Sequence, residues 1–172
     1  IMPINFADLS INAKPIELLR QVLFEGKIEY ILPSFRLNRS GTERAVVTGG
    51  NLSLLYALTG TPFEINTSGR ILFIEDVGEQ LYHLDRMLQS YRLAGKFDKL
   101  NGLIVGGLTE MEDKKRPFGK TAEEIVASVI EGYDFPVIFN FPAGHQNENC
   151  PLILGSIASL DVSSEVVKVQ FE

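Results

Sequence analysis

The feature that most constrains this chain is an alternation through its middle. Residues 70–74, 102–105 and 136–139 are short apolar runs, each separated from the next by a helical pattern. Short runs without polar alternation read as strands buried on both faces, and such strands separated by helices form a parallel sheet with crossover helices. The first helix is expected over about residues 79–94, stopped at Gly95, and the second over about residues 122–131, stopped at Gly132. Thr121, with Glu124 three residues later, is a capping box for the second.

The flanks read differently. Pro15 and Gly26 bracket a helix over about residues 15–25. Residues 27–32 and 43–47 read as strands, and the turn residues Asn38-Arg39-Ser40-Gly41 predict that the two form a hairpin. Asn51 caps a helix carrying Leu52, Leu54, Leu55 and Leu58. Near the C-terminus, residues 152–154, 157–160 and 166–171 read as strands joined by short turns. The expected fold class is therefore α/β, a mixed sheet with a parallel centre flanked by helices and with β-hairpins at both ends. A length of 172 residues with 45% hydrophobic content suits about one domain.

A net charge of -6 with no basic stripe argues against nucleic acid as a partner. The most basic run, Lys114-Lys115-Arg116, follows Glu112 and Asp113 and reads as a solvated loop. No apolar stretch approaches the ~20 residues of a membrane span, and no signal peptide is visible. With one cysteine, Cys150, no internal disulfide can form, which fits a reducing compartment. The chain opens Ile1-Met2-Pro3-Ile4, so it reads as a cut piece of a longer protein or as carrying an extra leading residue.

In an open α/β sheet, functional groups gather beyond the carboxyl ends of the parallel strands. Here the first strand ends in Glu75-Asp76, the second in Gly106-Gly107-Leu108-Thr109-Glu110, and the third in Asn140-Phe141-Pro142-Ala143-Gly144-His145. Glu75 and His145 are thus expected on one rim. A carboxylate facing an imidazole holds its tautomer and stabilises its protonated form, so the pair suits general-base chemistry. Asp76, three residues before Glu79, has the spacing of a helix cap and is assigned that task. His83 reads as a partly exposed helix residue, and Asp85 and Arg86 as surface ion-pairing groups.

A nucleophile is what the sequence lacks. No G-x-S-x-G occurs. Ser156 falls in a turn between strands, Ser53 in the first turn of the Asn51 helix, and Cys150 has no neighbour that would activate its thiol. Two unrelated histidines make no metal-ligand set. Gly49-Gly50-Asn51 before a helix offers backbone N–H groups to an anion, but a tight turn plus N-cap is the simpler reading.

Taken in order, Phe73-Ile74-Glu75-Asp76-Val77, then Tyr82, Leu84, Asp85, Arg86, Met87 and Leu88, Ala94-Gly95, residues 102–107, Gly144-His145, Pro151-Leu152 and Leu154-Gly155 resemble the LD-carboxypeptidase family. These are serine peptidases that include muramoyltetrapeptide carboxypeptidase and the microcin-immunity peptidases. Gly49-Gly50-Asn51-Leu52 resembles the segment leading into that family's C-terminal domain. The likeness runs from about Gly49 to the end, with residues 1–48 as link and first strands and residues 49–172 as the domain core.

The resemblance implies a swivelling β/β/α domain that supplies Glu75 as triad carboxylate and His145 as general base. Gly49, Gly50, Asn51 and Gly144 are the substrate-binding candidates. It further implies a metal-free and cofactor-free reaction that removes a terminal D-alanine from a cell-wall tetrapeptide. The serine and the oxyanion-hole amides belong to an N-terminal domain, expected to be absent from these residues. On that reading the chain alone is inactive. A non-catalytic muropeptide-binding module and a microcin-type immunity peptidase are the alternatives. The implied partners are a cell-wall peptide and the N-terminal domain, together with a possible homodimer formed through apolar residues in segment 1–6. The implied recycling role and the missing signal point to the cytoplasm.

Overall fold

A computed structural model of the chain describes Phe6 and residues 9–172, the side chains of residues 9–11 excepted. In chain order the elements are α1 (Leu9–Glu25), β1 (Ile28–Pro33), β2 (Gly41–Asn51), α2 (Leu52–Ala57), β3 (Ile71–Val77), α3 (Leu81–Leu93), β4 (Gly102–Thr109), α4 (Ala122–Val129), β5 (Val137–Ile138), β6 (Ile157–Val162) and β7 (Val166–Phe171). The strands form one seven-stranded sheet in the order β1-β7-β6-β2-β3-β4-β5. Its β2-β3-β4-β5 portion is parallel, and β1, β7, β6 and the first half of β2 run antiparallel. An isolated antiparallel bridge between Arg39 and Val137 ties the segment after β1 to β5, so the sheet curls toward closure.

The period-two alternation of β3 divides the core. Leu72 and Ile74 join Leu84, Met87, Leu88, Ile125, Val126 and others in a cluster under the helices. Ile71 and Phe73 face the other way, into a second cluster with Ile104, Phe141, Leu160 and Val169 inside the curl of the sheet. β3 is buried from Ile71 through Asp76, as its unbroken apolar run predicts.

The parallel centre, α3 and the Thr121–Glu124 capping box match the sequence reading, with both box hydrogen bonds formed. The β6–β7 hairpin does too. Three expectations are corrected. β1 and β2 are not a hairpin: β1 pairs with β7, and β2 with β6 and β3. The Asn38–Gly41 stretch instead crosses to β5, with Arg39 N–H donating to Val137 O and Val137 N–H to Arg39 O. Residues 152–154 are not a strand, and β6 begins only at Ile157. Gly49 and Gly50 are not a turn but belong to the last paired residues of β2, opposite Phe73 and Ile74. The homodimer expectation for segment 1–6 falls outside the described residues except at Phe6, which is exposed. Among the described residues no helix is long and apolar enough to cross a membrane.

Gly49 shows how tightly β2 is set against β3. Its φ is +138°, and a Cβ there would lie 1.9 Å from the Phe73 carbonyl oxygen. Gly50, at φ +149°, has open space in the same position. Gly49→Ala is therefore expected to cost about 3 kcal/mol or more, from strain and overpacking together, and Gly50→Ala about 1 kcal/mol from backbone strain alone. Urea unfolding of the two variants side by side checks the difference.

Candidate active site

The two carboxylates that end β3 are separated by the strand's own alternation. Asp76 follows Leu72 and Ile74 to the helix side; Glu75 follows Ile71 and Phe73 to the inside of the curl. Each meets a different partner.

Asp76 is 1% exposed and serves α2, not α3 as its spacing suggested. Its oxygens accept from Asn51 Nδ2 at 2.9 Å, from Ser53 N–H at 2.9 Å and from Val77 N–H at 2.9 Å. Asn51 in turn caps α2, accepting from Leu54 N–H at 3.2 Å and Ser53 Oγ at 2.7 Å. Burial pushes the Asp76 carboxyl above its ordinary range, an effect the three N–H donors oppose. The N-cap of α3 is Gln80, whose side chain makes no capping bond to the helix. The start of that helix is satisfied by the segment after β4, where Leu81 N–H donates to Glu112 O and Gln80 Nε2 to Glu112 Oε2. His83 lies on α3, 2.6 Å from Glu79 through Nδ1, and Arg86 sits over the Tyr82 ring.

Glu75 is 5% exposed, and its Oε2 accepts twice from one residue: from His145 N–H at 3.0 Å and from His145 Nδ1 at 2.8 Å. An oxygen that already receives the backbone N–H acts as acceptor toward the ring as well. It therefore holds neutral His145 with its proton on Nδ1 and a bare lone pair on Nε2. The imidazole is 41% exposed, against 7% for the Glu75 side chain. A buried acid thus orients a half-exposed base.

Glu75 and His145 meet across an intervening strand because β4 yields. Its register against β3 shifts between Ile74 and Asp76, at Gly106-Gly107. A Cβ on Gly106 would lie 2.4 Å from Ala143 O, and Gly107 N–H donates to that same carbonyl at 3.0 Å. The loop after β5 therefore lies directly over the end of β4. Gly144, at φ +104°, completes the approach, since a Cβ there would stand 2.7 Å from Glu75 Oε2.

Three residues to which the sequence reading gave no individual role fix this loop. Gln146 Nε2 donates to Phe141 O and Ala143 O, Asn149 Oδ1 accepts from Gly144 N–H, and Thr109 Oγ1 donates to His145 O. No periodicity marks side chains that bond within an irregular loop, so only the flanking Gly144-His145 pointed there. A cavity of about 230 Å³ opens beside the pair. Its apolar wall is Phe73, Ala143, Leu152 and Leu154 with Cys150; its polar groups are Glu75, His145 and Asn149. Gly144 lines it, whereas Gly49, Gly50 and Asn51 do not. Ser53 and Ser156 are bonded elsewhere, to Asn51 and to Ile153 O. Among the described residues no hydroxyl or thiol hydrogen-bonds to His145 Nε2, and no group of three His, Cys, Asp or Glu is placed to hold a metal.

A curled mixed α/β sheet that presents an acid from the end of β3 and an imidazole from the loop after β5 defines the class of protein. The chain belongs to the LD-carboxypeptidase C-terminal domain family, whose model matches residues 44–160. It is 32% identical over 130 residues to the probable murein peptide carboxypeptidase of Bacillus subtilis (strain 168), covering 76% of this chain and 41% of that protein. It is 28% identical over 175 residues to the microcin C7 self-immunity protein MccF of Escherichia coli, covering 98% of this chain and 47% of that one. Its fold matches the crystal structure of muramoyltetrapeptide carboxypeptidase from Oxalobacter formigenes with a TM-score of 0.82 at 24% identity, over 91% of this chain and 53% of the other. The chain thus spans less than half the length of these two curated relatives.

Two measurements check the site. In nitrogen-15 spectra, neutral His145 is expected to show a protonated Nδ1 and a bare Nε2. Glu75→Ala shifts the ring toward the Nε2–H form; an unchanged pattern in that variant contradicts the assigned hydrogen bond. Burial pushes the Cys150 thiol up to about 11, the nearby Glu148 charge adding to the effect. Because only the thiolate is reactive, the folded protein is expected to resist iodoacetamide at pH 8 and to react faster as pH rises toward that value, whereas the urea-unfolded chain reacts readily at pH 8.

Proposed function

We propose that Glu75 and His145 are the carboxylate and general base of a serine peptidase. The reaction it serves removes a terminal D-alanine from a cell-wall muropeptide. The observation that supports this most is the double hydrogen bond from His145 to Glu75 Oε2, with Nε2 left unbonded and His145 lining a cavity. A base oriented in this way takes a proton from a hydroxyl as that oxygen attacks a carbonyl, then returns it to the leaving amine; the buried carboxylate stabilises the imidazolium between the two steps.

The hydroxyl and the oxyanion-hole donors come, on this reading, from a segment outside residues 9–172. The activity belongs to the two parts together, in the cytoplasm and without a metal. The murein carboxypeptidase name of the Bacillus relative supports the muropeptide substrate. Peptide-antibiotic immunity is a second reading, favoured by the near-complete coverage of this chain by its match to MccF.

The test is release of D-alanine from an L,D-linked tetrapeptide. The parent polypeptide is expected to release it with or without a chelator. His145→Ala is expected to lose about 10³-fold or more in kcat, and the 172-residue chain alone to show background hydrolysis. Robust hydrolysis by the isolated chain, or a parent indifferent to His145, would falsify the proposal.

A further inference from the structure

The wall of the cavity holds one polar group that the peptidase chemistry does not use. Asn149 is 4% exposed. Its Oδ1 accepts from Gly144 N–H at 3.1 Å, and because Gly144 offers a donor there, the oxygen and not the nitrogen of the amide must face it. The amide nitrogen is thereby directed away from Gly144, and Asn149 lines the cavity with Glu75 and His145. That nitrogen has no hydrogen-bond partner among the described residues, although a buried primary amide normally satisfies its N–H groups. Thr59 Oγ1 is the only fully enclosed side-chain oxygen or nitrogen left unpartnered among the described residues, so the Asn149 nitrogen is not fully enclosed, and the residue that carries it lines the cavity.

We infer that Asn149 is a substrate-binding residue whose Nδ2 donates to a neutral peptide carbonyl held beside His145. The chemistry of the cavity selects that ligand. Its wall is apolar at Phe73, Ala143, Leu152 and Leu154, which suits a small aliphatic side chain. It contains no lysine or arginine, and Glu75 places a carboxylate in it, so a free carboxylate is repelled where an amide oxygen is not. The lone pair of His145 Nε2 and the Asn149 N–H groups together match the donor and the acceptor of a peptide unit. The assignment rests on the peptidase reading above and names a contact at the same site.

The probe is N-acetylalanine methylamide, a neutral peptide unit with one methyl side chain, titrated into the nitrogen-15-labelled chain. Saturable binding is expected in the millimolar range, as about ten non-hydrogen atoms allow, with the Asn149 side-chain NH2 signals moving along the same curve as His145. N-acetylalanine, which carries a free carboxylate, is expected to bind more weakly. Asn149→Asp keeps an oxygen toward Gly144 N–H and removes the donor. It is expected to weaken the methylamide about tenfold while the Gly144 and His145 backbone signals stay in place. No saturable binding, unmoved Asn149 NH2 signals, equal affinity for the free acid, or a loss of less than twofold in the Asn149→Asp variant each overturns the assignment. The NH2 signals are read in the unsubstituted chain, so the test survives a variant that misfolds. A parent enzyme indifferent to His145 removes the peptidase reading without touching this binding result, and the reverse also holds.

Discussion

One oxygen atom, Glu75 Oε2, organises the site. It accepts both the backbone N–H and the ring Nδ1 of His145, so it fixes where the residue sits and which way its ring turns. Placing a carboxylate at 5% exposure is costly unless hydrogen bonds offset the lost water. Two charge-assisted bonds from a single partner supply that offset and couple the fold of the loop to the orientation of the base. Remove either bond and the remaining one fixes only half the geometry: a placed residue with a free ring, or a held ring on an unanchored loop.

The rest of the architecture follows from making that contact possible. The end of β3 carries two acids because each faces a different layer. Asp76 gathers Asn51, Ser53 and Val77 and so anchors the start of α2 on β3. Glu75 faces inward, where the chain leaving β5 must cross β4 to reach it. The crossing is permitted by three positions without side chains. Gly106 lets Ala143 O lie on the strand, Gly107 leaves room for the Gln146 side chain, and Gly144 lets the loop touch Glu75 itself. The register shift in β4 is the backbone's accommodation of the same passage.

The sequence carried the centre of this fold plainly and its periphery poorly. Residues 71–74 form an uninterrupted apolar run, as strands covered on both faces do, and that pattern with its helices specifies parallel neighbours through local signals. The pairing of β1 with β7 joins Ile28 to Phe171 and has no local signal, so the nearby turn residues at Asn38–Gly41 suggested the wrong partner. Asp76 was misassigned for a related reason. Its distance to Glu79 fits a cap, but its parity with Leu72 and Ile74 places it on the helix side of the sheet, toward α2. Of the two signals, strand alternation prevailed. Glu75 and His145 were legible as strand-end residues, because their meeting depends on topology more than on any exact register. Gln146 and Asn149 act through bonds inside a loop, and Thr109 through a bond from the end of β4 to that loop, which spacing does not encode.

These contacts also account for the uneven exposure of the pair. Glu75 lies in the wall, and the loop that covers it is itself fastened at Phe141, Ala143 and Gly144 by its own Gln146 and Asn149, and at His145 by Thr109 and Glu75 from β4 and β3. The acid is thus rigid because its surroundings are. His145 projects from that fastened loop with 41% of its side chain in contact with solvent and its Nε2 unbonded among the described residues. On the proposed peptidase reading a general base must reach a group that is not its own neighbour in the fold, so an exposed ring with an unbonded Nε2 and restraint on the Nδ1 side are complementary requirements. The neighbouring cavity meets a parallel demand. Its wall is mostly apolar, and the amide of Asn149, restrained through Gly144, is the donor there on the inference above. Base and donor are carried by one loop, with Gly144 bonded to Asn149 and His145 bonded to Glu75, so a displacement of that loop would move both together.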